Sequence, residues 1–176
     1  MEHMKTIKFN TPYLIFLGEE TRDGFAKTGF GISEWRPSLC KGQMCLKGGT
    51  INLGLPSMTI KEAAEANVGS LIIGTASVGG GIPGAWLDTL EEALLKGIDI
   101  VAGVHTHLKD VPRLREAAKR SGARLVDIRI PPENIPVGNG NKRAGLRLLT
   151  VGTDCAVGKK YTALALEKDM RGIGMN

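Results

Sequence analysis

The order of apolar and amphipathic segments between residues 59 and 130 constrains the fold more than any other feature. Short apolar runs at 70–76, 98–104 and 124–130 alternate with segments whose apolar residues recur at helical spacing. The connections between them are short. Strands that alternate with helices in this way form a parallel sheet with helices packed on its faces. The sequence therefore predicts an α/β protein with a Rossmann-like parallel sheet and flanking helices.

Capping residues predict where the helices of this region begin. Thr59 is followed by Glu62 at the spacing of a capping box, so a helix is expected to start there. A second helix is predicted over 85–96, and a third over 112–121 with Asp110 as its cap. The apolar face of the second helix is predicted to consist of Trp86, Leu87, Leu90, Leu94 and Leu95.

The first part of the chain is less regular. Residues 13–17 have the pattern of a short buried strand, and a helix is expected near the start of the mixed segment 23–35. Residues 37–56 are rich in turn residues and leave room for one short strand. The elements predicted here and in the following segments place residues 1–130 in one Rossmann-like domain.

Charge and cysteine content exclude several classes of protein. The 23 basic and 18 acidic residues give a net charge of +5, which is too mild and too scattered to indicate a nucleic-acid surface. The cysteines, Cys40, Cys45 and Cys155, are odd in number and have no paired spacing, so neither a disulfide framework nor a metal site is expected. No run approaches the roughly 18 apolar residues of a membrane span, and no leader pattern is present, so we expect a cytoplasmic protein.

A phosphate-binding loop is the strongest chemical motif. After a Pro-, Gly- and Asn-rich linker at 131–145, an apolar strand is predicted over 146–151, and the sequence GTDCAVGKK then leads into a helix. Backbone N–H groups of such a loop surround a phosphate, and a lysine adds a full positive charge. The predicted phosphate or nucleotide ligands are Gly152, Thr153, Asp154, Gly158, Lys159 and Lys160. Residues 146–176 are thus the first strand, loop and helix of a P-loop domain.

This loop departs from the common Walker A pattern in two ways. The spacing between Gly152 and Gly158 is one residue longer, and Lys160 stands where Ser or Thr would coordinate Mg²⁺. Thr162 is only a weak substitute for that ligand. The longer loop resembles the variant in dethiobiotin synthetases, which favours an ATP-dependent ligase or kinase as an alternative function.

A second Gly-rich loop lies between the strand at 70–76 and the helix at 85–96. Its spacing formally matches the dinucleotide-binding pattern GxGxxG, but the expected acidic residue about 20 positions later is missing. The loop is either a tight structural turn or a site for an anion or a substrate, and NAD binding is the least favoured alternative. The candidate substrate-binding residues are Gly74, Thr75, Ser77, Gly79, Gly80 and Gly81.

Ionisable residues follow two of the predicted strands. His105 lies just beyond one strand end, where it can act as a general acid or base, bind a carboxylate, or simply pack in a loop. His107 is close by, but no third ligand makes a zinc site. Glu19 opens an acidic and basic segment, 19–23, that either lines the same cleft or is a solvated loop. Because ligands bind beyond the carboxyl ends of parallel strands, His105 and Glu19 are the candidate catalytic residues.

These segments together resemble the DgcN family of D-glutamate N-acetyltransferases, long catalogued as a domain of unknown function. The likeness runs from about Tyr13 onward and is most specific in the GTDCAVGK loop and the linker before it. It implies a Rossmann-like domain followed by a P-loop domain. It also implies acetyl transfer from acetyl-CoA to the amine of D-glutamate, a small-molecule substrate.

The resemblance assigns no chemical roles, so these follow from position alone. His105 or Glu19 is expected to remove the proton from the amine, and backbone N–H groups of the loop at 74–84 to hold the oxyanion or the carboxylates. The loop at 152–159 is expected to bind a phosphate of CoA or a regulatory nucleotide, ATP included. A non-catalytic nucleotide-binding module is a further alternative. Because the chain ends at Asn176 after one helix of the P-loop domain, we expect little activity from it alone, and self-association into a homo-oligomer.

Overall fold

The structure of the chain is a computed structural model that describes residues 7–130, 137–138, 140–142, 144–153 and 158–175. The chain divides into two compact units, Met1–Pro131 and Pro132–Asn176.

Within the described residues of the first unit, five strands form one parallel sheet. The order of the strands across the sheet is β2-β1-β3-β4-β5. The strands are β1 (Tyr13–Gly18), β2 (Cys40–Cys45), β3 (Ser70–Ile73), β4 (Asp99–Ala102) and β5 (Leu125–Asp127). The α/β class and the parallel sheet predicted from the sequence are confirmed.

Helices connect successive strands, as the alternating pattern predicted. They are α1 (Lys27–Trp35), α2 (Ile60–Glu65), α3 (Leu87–Leu95) and α4 (Pro112–Ser121). Buried residues of α2, α3 and α4 share one apolar cluster with alternate residues of the sheet. Residues of α1 contribute to a second cluster, which includes the other set of strand residues. The sheet is therefore covered by three helices on one face and by α1 on the other.

The register of the sheet explains why the inner strands β1, β3 and β4 are mainly apolar. Ile15, Ile72, Val101 and Val126 are aligned across four strands and belong to the cluster that contains α1. The neighbouring row, which begins with Leu14, belongs to the opposite cluster. Both faces of a parallel sheet are buried, so the side chains that alternate between them in these inner strands are mainly apolar.

The predicted helix caps are confirmed at one helix and wrong at another. The capping box is confirmed: the backbone N–H of Glu62 donates to Thr59 Oγ1 at 3.2 Å, and Thr59 N–H donates to Glu62 Oε2 at 2.7 Å. Asp110, however, does not cap α4, because it lies in a 3-10 turn and Val111 occupies the capping position without a side-chain bond. Pro112 at the first position of α4 lacks an N–H, so the helix needs one capping bond fewer.

The helix predicted over 85–96 begins later than expected. Gly84–Trp86 is a separate 3-10 turn, and α3 starts at Leu87. Trp86, Leu90 and Leu94 are buried as predicted, but Leu95 is 43% exposed. Its placement on the apolar face was wrong, because the buried stripe follows positions 90, 93 and 94.

In the second unit, α5 (Lys159–Gly172) follows the phosphate loop as predicted. The strand predicted over 146–151 is not present, since residues 144–153 belong to no helix or strand. Leu146, Leu148, Leu149 and Val151 are exposed. A strand requires a hydrogen-bonded neighbour, and the described residues of this unit contain no second strand to pair with it. None of the helices in the described parts of the chain is long and apolar enough to cross a membrane.

Candidate functional site

Four polar or ionisable residues of the first unit follow the ends of β1, β3, β4 and β5. Glu19 follows β1, Thr75 lies two positions after β3, His105 follows β4, and Arg129 follows β5. The chain passes from β1 to β2 on one side and returns to β3 on the other, so a crevice opens at this switch point. This is the edge at which the sequence predicted a ligand site.

A pocket of about 310 Å³, here called the smaller pocket, lies beside the end of β1. Glu19 lines its wall, and its Oε2 accepts a hydrogen bond of 2.6 Å from the indole Nε1 of Trp86. A Cβ at Gly18 would lie 2.8 Å from the indole ring, so only glycine allows Trp86 this position. The buried indole therefore holds one carboxylate oxygen of Glu19 and leaves the other available to a ligand.

An ion pair forms a second wall of the smaller pocket. Arg22 Nε donates to Glu20 Oε1 at 2.9 Å, Nη2 donates to Oε2 at 3.2 Å, and the guanidinium lies 3.9 Å from the ring centre of Phe25. The bidentate hydrogen bond from Arg22 lowers the pKa of Glu20 from its ordinary value of 4.5 to about 2. The charge of Glu20 is therefore compensated within the protein, whereas the described lining of this pocket provides no other basic residue to pair with Glu19.

The Glu20–Arg22 pair makes a testable prediction about pH. Because the pKa of Glu20 is lower in the folded than in the unfolded chain, the pair stabilises the fold above pH 4.5, and this contribution is lost as the pH falls towards 2. In an NMR titration of the side-chain carbon, Glu20 should have a midpoint near 2. In Arg22→Gln the midpoint should return towards about 4.3, the value of an unperturbed glutamate. An unchanged midpoint in that variant would show that Arg22 is not the cause.

The larger cavity, of about 590 Å³, lies on the α1 side of the same edge. Its walls are mainly apolar. His105 and Arg129 stand among them, with Arg129 Nη1 at 3.4 Å from His105 Nε2. Since a guanidinium only donates hydrogen bonds, this contact requires a lone pair on His105 Nε2. The apolar wall residues are Phe9, Ile32, Ile72, Ile73, Ala76, Val101, Val104 and Ile128.

Thr75 connects the two spaces. Thr75, Ala76 and Ser77 line both the smaller pocket and the larger cavity, so the two are adjacent across this short segment. Thr75 is only 6% exposed, and its Oγ1 has no hydrogen-bond partner among the described residues. A buried hydroxyl without a partner costs free energy, and such a group at the wall of a pocket is a natural contact for a ligand.

Several backbone N–H groups of the Gly-rich loop at 74–84 already form hydrogen bonds within the protein, which the sequence did not predict. The backbone N–H groups of Gly74, Ala76 and Gly80 donate to the carbonyls of Phe16, Phe25 and Ser77 at 2.8, 2.8 and 2.9 Å. These three amides are already used and cannot hold an oxyanion without breaking those bonds.

Two further hydrogen bonds close the same loop. Ser77 Oγ donates to the carbonyl of Gly81, and the carbonyl of Gly80 accepts from the backbone N–H of His105 at 2.7 Å. The loop therefore fixes the backbone of His105. Gly79 is the more open position, since a Cβ placed there would have no described atom within 4 Å.

The other candidate groups lie elsewhere. His107 Nδ1 is 3.9 Å from Asp127 Oδ2 and does not line either space. Cys40 and Cys45 are half-buried at the two ends of β2, and burial raises the pKa of both thiols, which disfavours the reactive thiolate. The described residues hold no cluster of three or more His, Cys, Asp or Glu side chains that could bind a metal ion.

In the second unit, the residues that could hold a phosphate lie at the start of α5. Gly158 precedes the helix in the left-handed region with φ of 97°, and Lys159 and Lys160 lie in its first turn. Thr162 Oγ1 donates to the Gly158 carbonyl at 3.1 Å, so this hydroxyl is engaged within the helix. Gly152 and Thr153 belong to no regular element. Asp154 lies outside the described residues.

Sequence reasoning missed two residues of the site. Trp86 was predicted only as a core residue, although its indole N–H reaches Glu19, 67 positions away. Arg129 was treated as part of a longer strand, but β5 ends at Asp127, which places Arg129 in the cavity wall. An indole in a buried position needs a hydrogen-bond acceptor, and that requirement was the available signal for Trp86.

A parallel sheet with helices on both faces and a crevice at its switch point defines a Rossmann-like α/β protein. The chain belongs to the DUF1611 family. Residues 40–131 match the family model described as a domain of unknown function (DUF1611_N), Rossmann-like domain, and residues 136–176 match the DUF1611_C P-loop domain.

Named relatives exist among curated proteins. The chain is 45% identical over 165 residues to a D-glutamate N-acetyltransferase of Tritonibacter scottomollicae, and 39% identical over 165 residues to one of a Pseudoalteromonas species. Each alignment covers 94% of this chain and 50% of the relative, so the chain spans about half the length of these proteins.

A solved structure supports the fold. The crystal structure of a DUF1611 family protein from Anabaena variabilis superposes with a TM-score of 0.76 at 29% sequence identity. The match covers 94% of this chain and 51% of that one.

Proposed function

We propose that the protein is an N-acetyltransferase that transfers an acetyl group from acetyl-CoA to the amine of D-glutamate. The observation that carries this proposal is the 45% identity to a protein named D-glutamate N-acetyltransferase, extending over 94% of the chain. The first unit contributes a crevice with an uncompensated carboxylate beside an apolar cavity, which suits an amine acceptor next to an acyl donor.

The reaction needs a group that takes a proton from the amine. The nitrogen attacks the thioester carbonyl, a C–N bond forms, the C–S bond breaks, and CoA leaves as a thiolate that is then protonated. Glu19 is the proposed acceptor of the proton lost by the nitrogen. Trp86 holds its Oε2, which fixes the orientation of the carboxylate, while its other oxygen is directed to the amine.

His105 is less suited to this role than Glu19. Its Nε2 lone pair faces the guanidinium of Arg129, and its backbone is fixed by the Gly80 carbonyl. A base must have a lone pair free to receive the proton. We therefore assign His105 to binding rather than to proton transfer.

The acyl donor is proposed to place its acetyl-bearing end in the larger cavity. The volume of about 590 Å³ and the apolar walls suit an acyl thioester better than a charged nucleotide. The loop at 152–159, with Lys159 at the start of α5, remains the proposed site for a phosphate of CoA or of a nucleotide. A cytoplasmic location and a homo-oligomeric state complete the proposal.

The function is tested by following free CoA thiol. The protein expressed from its complete gene is incubated with acetyl-CoA and D-glutamate, with L-glutamate and ATP in parallel reactions. We expect thiol release that requires D-glutamate and does not require ATP. Release of phosphate from ATP with no thiol release would contradict the acetyltransferase and support the ligase or kinase alternative.

A further inference from the structure

Two uncompensated charges of opposite sign lie on either side of Thr75. In the smaller pocket, Glu20 is neutralised by Arg22, which leaves the carboxylate of Glu19 as the net charge. In the larger cavity, Arg129 is the charged group, and the described lining contains no carboxylate to neutralise it. A ligand that fits both spaces therefore carries a cation at one end and an anion at the other.

Thr75 supplies the second, independent observation. The residue is 6% exposed, and its hydroxyl lacks a hydrogen-bond partner among the described residues. Both spaces share the segment that contains it. A hydroxyl can donate to a carboxylate and accept from an ammonium group, so it complements a zwitterion at the junction.

We infer that an acidic amino acid binds across the junction, with its ammonium group at Glu19, its side-chain carboxylate at Arg129, whose guanidinium lies against His105, and the Thr75 hydroxyl between them. This assignment deepens the proposed function and rests on its acceptor substrate. Arg129 and Thr75 are then specificity-determining residues, and neither takes part in proton transfer. The apolar remainder of the larger cavity stays available to the acyl donor.

The inference is tested by binding alone, so that it does not depend on turnover. Isothermal titration calorimetry with the protein from its complete gene uses three ligands: D-glutamate, D-glutamine, which lacks the side-chain carboxylate, and glutarate, which lacks the amine. Arg129→Gln should weaken the binding of D-glutamate about ten-fold and leave the binding of D-glutamine nearly unchanged. The reason is that only D-glutamate has the side-chain carboxylate that forms a charge-assisted hydrogen bond with Arg129. Glu19→Gln should weaken the binding of D-glutamate and leave the binding of glutarate nearly unchanged, because glutarate has no amine to contact Glu19.

Conservative and distant variants serve as controls. Arg129→Lys should retain most of the affinity for D-glutamate because the charge remains. Arg120→Gln makes the same chemical change on the exposed surface of α4 and should not alter binding of any ligand. If Arg129→Gln weakens the binding of D-glutamate and of D-glutamine equally, the ligand's side-chain carboxylate does not lie at Arg129.

Thr75→Val separates a ligand contact from a structural one. Because the hydroxyl lacks a partner among the described residues, its removal should leave the Tm unchanged or raised, while D-glutamate binds about ten-fold more weakly. Thr75→Ser should restore binding. A lower Tm with unchanged affinity would overturn the inference.

The two proposals fail in different ways. Binding that responds to these variants without any acetyl transfer would retain the amino-acid site and reject the acetyltransferase. Acetyl transfer to D-glutamate with no effect of Arg129→Gln on affinity or KM would retain the enzyme and reject the site. Absence of D-glutamate binding to the unaltered protein would also reject the site.

Discussion

Replacing Gly74 by Ala should lower the free energy of unfolding by about 3 kcal/mol, the upper part of the usual range for overpacking a core. A Cβ at this position would lie 2.7 Å from Ile15 Cγ2 and 3.0 Å from the Cα of Gly29. Gly29 belongs to α1, and its N–H donates to the Gly74 carbonyl at 2.8 Å. Since the obstructing atoms include backbone, α1 must move away from the sheet and this hydrogen bond must lengthen.

The matched control is Gly81→Ala in the same loop. A Cβ there would meet only Thr106 Oγ1, at an ordinary distance of 3.5 Å, so the change in stability should stay within about 0.5 kcal/mol. The free energy of unfolding of both variants is measured by urea denaturation, with tryptophan fluorescence as the signal. Similar stability of the two variants would contradict the packing role of Gly74. A substrate-binding glycine would instead lose activity without losing stability.

The sequence was sufficient to predict the parallel sheet and the position of the crevice because both depend on local signals. An apolar run such as 70–73, bounded by turn residues, has the pattern of a strand buried on both faces, and the pair of Thr59 and Glu62 identifies a helix start by itself. Once the strands are parallel, the residues after their carboxyl ends must meet at one edge. Glu19, Thr75 and His105 were assigned to that edge in this way, and the structure places them there.

What escaped prediction depends on contacts distant in sequence. The hydrogen bond from Trp86 to Glu19 requires the folded sheet to bring β1 and the start of α3 together, and no local pattern encodes it. The segment 146–151 shows the opposite error. Its apolar residues have the composition of a strand, but composition does not provide the neighbouring strand that a hydrogen-bonded ladder needs.

The other large effect is expected at the opposite edge of the sheet, where Asp99 begins β4. Asp99 is 3% exposed, and its carboxylate accepts from the Arg124 backbone N–H at 2.7 Å, from Arg124 Nε at 2.8 Å and from Asn10 Nδ2 at 3.0 Å. These bonds tie the start of β4 to the segment before β5 and to the segment before β1. One buried carboxylate thus joins three parts of the chain.

Asp99→Ala should therefore destabilise the protein by about 3 kcal/mol, the lower end of the cost of breaking a buried ion pair. The lower end applies because the Arg124 side chain is 45% exposed and its charge can be hydrated once its partner is removed. Asp88→Ala is the control, since the Asp88 side chain is 87% exposed in its 2.7 Å pair with Arg113 and should contribute less than about 0.5 kcal/mol. If thermal and urea unfolding give the two variants the same free energy of unfolding, the hydrogen bonds of Asp99 to Arg124 and Asn10 do not stabilise the amino-terminal edge of the sheet. If only Asp99→Ala is destabilised, and this variant still binds ligand at the carboxyl edge under conditions where it is folded, the two edges have separate roles. The amino-terminal edge then stabilises the sheet, and the carboxyl edge binds the ligand.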